Sequence, residues 1–70
     1  MNEQTETRTG ARLMRLPKVL EVTGISRSGW LRLVKEGYAP QPVKLSPRTT
    51  AWVEAEVQDY ITSRIKERAA

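Results

Sequence analysis

The sequence predicts a mainly α-helical chain with one small β-hairpin, arranged as a winged helix-turn-helix of three short helices plus a wing. Three observations lead there. Leu16, Val19 and Leu20, and again Trp30, Leu33 and Val34, stand at i, i+3, i+4, so each of two short helices has one apolar face. Only Gly24, Ile25 and Ser26 separate them, a junction so short that the helices must meet at a steep angle. After a break at Pro40 and Pro42, the stretch PVKLSPRTTAW reads as a hairpin and leads into a further apolar stripe of Val57, Tyr60, Ile61 and Ile65.

Each element follows from local chemistry. Residues 1–11, MNEQTETRTGA, are polar with no apolar spacing and are expected to form a disordered tail. Order is expected from RLMRL, with Leu13 and Met14 briefly extended. Pro17 suits the first turn of a helix, where its missing N–H would have had no partner, although no strong capping side chain precedes it. Gly24 fits the left-handed position that ends a helix. Ser26 is a good N-cap, and Ile25 before it can staple the new helix, which is expected over residues 27–35 with Gly37 as terminator. Gly29 inside that helix costs roughly 1 kcal/mol relative to alanine. It either lets another part of the chain approach closely or is simply tolerated. Ser46-Pro47-Arg48-Thr49 carries turn chemistry, and Thr50, Ala51 and Trp52 form the returning strand. In VEAEVQDYITSRIKERAA, acids come first and cations last, as the dipole of a third helix favours. The folded domain is expected over residues 12–66, with 67–70 frayed. Its core collects the apolar faces of all three helices with Ile25 and Trp52. Both tryptophans fall on apolar faces and belong to that core rather than acting as wedges between bases.

Composition narrows the function. Seventy residues make one small domain. The chain has no cysteine and no histidine, which removes disulfides, most zinc sites and most nucleophilic or acid–base catalytic sets. No catalytic residue, metal ligand or cofactor is therefore expected, and the chain reads as a non-enzyme. Apolar runs of two or three residues fall far short of the roughly twenty that span a bilayer. The polar N-terminus lacks an apolar signal core, so a cytoplasmic protein is expected.

The net charge of +4 is unevenly placed. Residues 12–52 carry a net +6, whereas the segments on either side carry −1 each. Concentrated positive charge favours a polyanion, with nucleic acid ahead of an acidic protein or a lipid surface. The residues placed to meet it are Arg27, Ser28, Leu31, Arg32 and Lys35 on the outer face of the second helix, and Lys44, Arg48 and Thr49 on the hairpin. A helix fits the DNA major groove, and a cation on a hairpin can reach the neighbouring backbone or minor groove. The plainer alternatives are a solvated helix face, edge-strand charge that blocks aggregation, and an ordinary turn residue at Thr49. Arg12, Arg15 and Lys18 fall at the periphery, where the alternatives are contact with the DNA backbone and solvated charge, and solvated charge is the preferred reading.

The stretch RLPKVLEVTGISRSGWLRLVKEGYAPQPVKLSPRTTAWVEAEVQDYITSRI resembles the AlpA family of small phage and prophage DNA-binding regulators. The matching details are TGISRS at the turn, RLVKEG at the end of the second helix, PQPVKLSPR in the wing and AWVEAEVQDYI beyond it. The resemblance implies a winged helix-turn-helix related to the MerR and excisionase groups. It also implies sequence-specific binding to double-stranded DNA that controls genes of an integrated element. The chain departs from the family at Gly29, where threonine is usual, and at Leu31, where tyrosine often stands. Two hydroxyls that could meet phosphate or base are lost, and Leu31 is left to touch a thymine methyl. Two other readings stay open at this point. One is an excisionase-type factor that binds and bends attachment-site DNA beside an integrase. The other is a small module that docks on an acidic protein. A homodimer or a cooperative array on DNA is compatible with either DNA-binding reading.

Overall fold

A computed structural model of the chain describes residues 10–69. The first nine residues of the expected tail, and Ala70, lie outside the described residues. The element order is β1 (Leu13–Met14), α1 (Leu16–Thr23), α2 (Arg27–Lys35), β2 (Val43–Ser46), β3 (Thr49–Val53) and α3 (Glu54–Ala69). Three helices and a small antiparallel sheet in this order form a winged helix-turn-helix, the fold class expected from the sequence.

The helix junction is fixed by four local devices. Pro17 occupies the first turn of α1, and Gly24 ends it at φ 75°, donating its N–H to Leu20 O. Thr23 ties the turn on both sides: its Oγ1 donates to Val19 O and accepts from the Ile25 N–H. Ser26 caps α2 by accepting the Gly29 N–H at 3.1 Å. Gly29 is accounted for at the same place. A Cβ there would lie 3.0 Å from Ser26 Oγ and 3.2 Å from Ile25 Cγ2, so the bare backbone lets the cap and the staple close tightly. At its other end α2 stops in a Schellman turn: Tyr38 N–H bonds Leu33 O, Gly37 N–H bonds Val34 O, and Gly37 has φ 84°.

The sheet runs β1-β3-β2, with the two-residue β1 pairing Leu13 with Val53 and Met14 with Trp52. In the hairpin, Lys44 stands opposite Thr50, and a bulge between Lys44 and Ser46 shifts the register so that Ser46 faces Thr49. Among the described residues no non-glycine residue has positive φ, so the Pro47-Arg48 turn is not of the primed type that matches strand twist best. The bulge beside it absorbs the mismatch. Pro40 and Gln41 fix the linker between α2 and the hairpin. Gln41 Nε2 donates to Val34 O, and Trp52 Nε1 donates to Pro40 O.

Met14, Val19, Trp30, Ala39, Trp52 and Val57 are buried together, with Leu16, Leu20, Ile25, Leu33, Val34, Tyr60 and Ile61 packed against them. Trp30 is fully buried at the centre. Its ring meets Trp52 edge-on at 6.0 Å and Tyr60 edge-on at 5.6 Å. One aromatic from each of α2, β3 and α3 thus joins the three elements. Ile65 continues the stripe of α3 but is exposed, because the last turns of that helix run past the body of the domain. The helix itself continues through residues 67–69, within the segment expected to fray. No helix of the described residues is long and apolar enough to cross a membrane.

Two stability measurements check this packing. Trp52→Ala removes an aromatic contact and the bond to Pro40, a loss of roughly 3–5 kcal/mol. In so small a domain the expected outcome is loss of the cooperative thermal transition, and a folded variant with the parent's melting temperature would contradict the assignment. Ser26→Ala should lower stability by about 1 kcal/mol in urea melts, the usual value of an N-cap.

Candidate nucleic-acid interface

The exposed arc of α2 carries every residue expected from the sequence. Arg27, Ser28, Leu31, Arg32 and Lys35 are all exposed, while Trp30 is buried and Leu33 and Val34 are half-buried on the opposite side. With about 100° between successive residues, Leu31 lies about 40° round the helix from Arg27, Lys35 about 80°, Ser28 about 100° and Arg32 about 140°. The five residues therefore form a band with two edges, Arg27 at one and Arg32 at the other.

Arg27 sits where it does nothing for the helix. It occupies the first turn of α2, which holds no acidic residue. A cation at that end opposes the helix dipole by a few tenths of a kcal/mol. Arg32 and Lys35 lie in the last turn, where the dipole favours them.

The Arg27 edge of the band opens on a cleft of about 390 Å³ between α2, the start of α1 and the hairpin. Arg15, Arg27 and Arg48 line it together with Leu16, Leu31, Val34, Thr50 and Trp52. Arg27 and Arg48 are distant in sequence and come from different elements, so the fold brings them together. Neither makes an ion pair among the described residues, and no carboxylate lines the cleft. Lys44 belongs to the same side. It stands directly opposite Thr50, and directly opposed residues of a pleated sheet project to one face. Thr49 alternates onto the other face with Ala51 and Val53. Ser46 shapes the tip by accepting the Arg48 N–H at 3.4 Å.

Arg15 corrects the sequence reading, which left it at the periphery. Its Nε donates to Thr50 O at 3.1 Å, across 35 residues of chain, and it lines the cleft. No local pattern marks this residue, because its partner is a backbone carbonyl of the distant β3. Arg12 and Lys18 are instead engaged with carboxylates, Arg12 with Glu54 at 3.3 Å and Lys18 with Glu21 at 3.6 Å.

A second concavity has the opposite character. It is lined by Glu56 and Asp59 with Ala39, Val43 and Val53, and it contains no lysine or arginine. The cationic cleft and this acidic concavity give the domain an electrostatic polarity.

Comparison with known proteins agrees with this architecture. The family model described as prophage CP4-57 regulatory protein (AlpA) matches residues 12–65, nearly all of the described chain. A protein of Enterobacteria phage P4, uncharacterized protein ORF88, is 35% identical over 60 residues, which cover 86% of this chain and 68% of that protein. The DNA-binding transcriptional activator AlpA of Escherichia coli K12 is 31% identical over 65 residues, covering 84% of this chain and 93% of the activator. No solved structure matches the chain significantly. The extent of the family match, together with the helix, turn and wing described above, establishes that the chain belongs to the AlpA family of prophage regulatory proteins.

Proposed function

We propose that the chain is a sequence-specific DNA-binding transcription regulator of a phage, prophage or integrative element. In this reading α2 enters the major groove, and the β2–β3 hairpin is the wing that lies on the adjacent backbone or minor groove. The observation that carries it is the convergence of Arg27 and Arg48 on one cleft beside the exposed arc of α2. Cations that line one cleft with no carboxylate among them raise the free energy of the unbound protein, and a polyanion relieves that repulsion. The shape agrees with the charge. An exposed helix of nine residues fits the major groove, and the hairpin tip stands beside it. A related protein is named as a DNA-binding transcriptional activator, which supports the same reading.

The rival reading, an acidic protein partner, makes a different prediction for sequence dependence. Duplexes selected by the chain from a random pool should bind more tightly than unselected ones. Their log affinity should fall with log salt by about 0.9 for each phosphate neutralised. Arg32→Ala and Arg48→Ala should each weaken binding to the selected duplex, yet leave unfolding free energies within about 0.5 kcal/mol of the parent, as surface substitutions do. Equal affinity for all duplexes would overturn the proposal. A variant that binds as well as the parent would remove that residue from the interface.

A further inference from the structure

The cleft gathers arginines from three parts of the chain, Arg15 ahead of α1, Arg27 from α2 and Arg48 from the hairpin turn, with no carboxylate among its lining residues. We propose that it seats the sugar–phosphate backbone of one DNA strand, gripped by Arg15, Arg27 and Arg48. The bases are read from the other edge of the band, by Ser28, Arg32 and Lys35. This division of labour rests on the DNA-binding reading above.

Three observations carry it. The first is position. A helix in the major groove and a wing over the next groove straddle one backbone, so the space between them is where that strand runs. The cleft is that space. The second is the state of Arg15. Its Nε donates to Thr50 O, which restrains the guanidinium at the cleft and leaves its terminal nitrogens without a bond among the described residues. A guanidinium held in this way loses little entropy on gripping a phosphate, for which its planar fork is suited. The third is the apolar lining. Leu16 and Leu31, which line the cleft with the arginines, offer no hydrogen-bonding group to the edge of a base but suit the carbon face of a deoxyribose. Arg32 lies about 140° round α2 from Arg27, too far to share the cleft.

The test uses a duplex selected from a random pool and a series of copies in which single phosphates are replaced, one at a time, by uncharged methylphosphonate. The parent protein should lose about tenfold in affinity at one or two adjacent linkages and little elsewhere, the scale of one charge-assisted hydrogen bond. Arg15→Gln should bind the unmodified duplex about tenfold more weakly, with a salt slope shallower by about 0.9 and the same ranking among sequences. Arg15→Lys should keep the parent's slope, and thermal melts report whether each variant is folded. Arg32→Ala should instead flatten the ranking. A flat methylphosphonate scan overturns the proposal, as does a folded Arg15→Gln protein with the parent's affinity and slope. If Arg15→Gln does not fold, the scan on the parent decides. Equal affinity for an RNA duplex of the same sequence overturns the assignment to a DNA strand, because the narrow major groove of RNA excludes α2. Failure of the parent to bind any duplex overturns the DNA reading itself, whereas binding by the parent with a flat scan overturns only the seat.

Discussion

Everything in this small domain depends on how Trp30 is buried. Its ring has no exposed surface and meets Trp52 and Tyr60 edge-on, at centroid separations of 6.0 and 5.6 Å. Such pairs contribute roughly 0.5–1.5 kcal/mol beyond the area they bury. Here they also set geometry. Trp30 comes from α2, Trp52 from β3 and Tyr60 from α3, so these contacts fix the distance and tilt between the exposed helix and the hairpin. The Nε1 of Trp30 has no hydrogen-bond partner among the described residues, whereas that of Trp52 is bound to Pro40 O.

That geometry turns sequence-distant cations into a surface. Thr50 shares a side of β3 with Trp52, Arg48 in the adjoining turn lines the same cleft, and Lys44 stands opposite Thr50 across the hairpin. Because Trp30 faces inward, the charged arc of α2 faces out beside them. The arginine that completes the wall, Arg15, precedes α1 and is held to the hairpin by one hydrogen bond. Core packing and charge placement are thus linked on α2, whose buried Trp30 leaves the charged arc of the helix facing outward. Glu56 and Asp59, on α3, line a separate concavity, so acidic groups do not compete for the cationic cleft.

Much of this is legible in the sequence, for identifiable reasons. Helical periodicity gave all three helices, and Gly24 and Ser26 marked the ends of α1 and α2, because capping is chemistry local to a few residues. Both tryptophans read as core from spacing alone. Met14 and Ala39 did not, since β1 is too short to show alternation and Ala39 lies in an irregular linker whose burial depends on what packs over it. Thr50 and Arg15 were also invisible as partners. Their hydrogen bond joins a side chain to a backbone carbonyl 35 residues away. Non-local contacts of this kind leave no periodic trace. Spacing and turn chemistry supplied the order of elements, and the structure supplied which cations line one cleft.

The central claim is that aromatic packing holds α2 and the hairpin as two walls of one DNA-binding surface. The most direct measurement is a titration of the isotope-labelled chain with a selected duplex, followed by backbone amide chemical shifts. The account predicts the largest changes at Arg15, along residues 27–35 and at the hairpin tip over 46–50, with small changes along α3 beyond Asp59. Changes concentrated instead around Ala39, Val53, Glu56 and Asp59 would place the partner on the acidic side and contradict it.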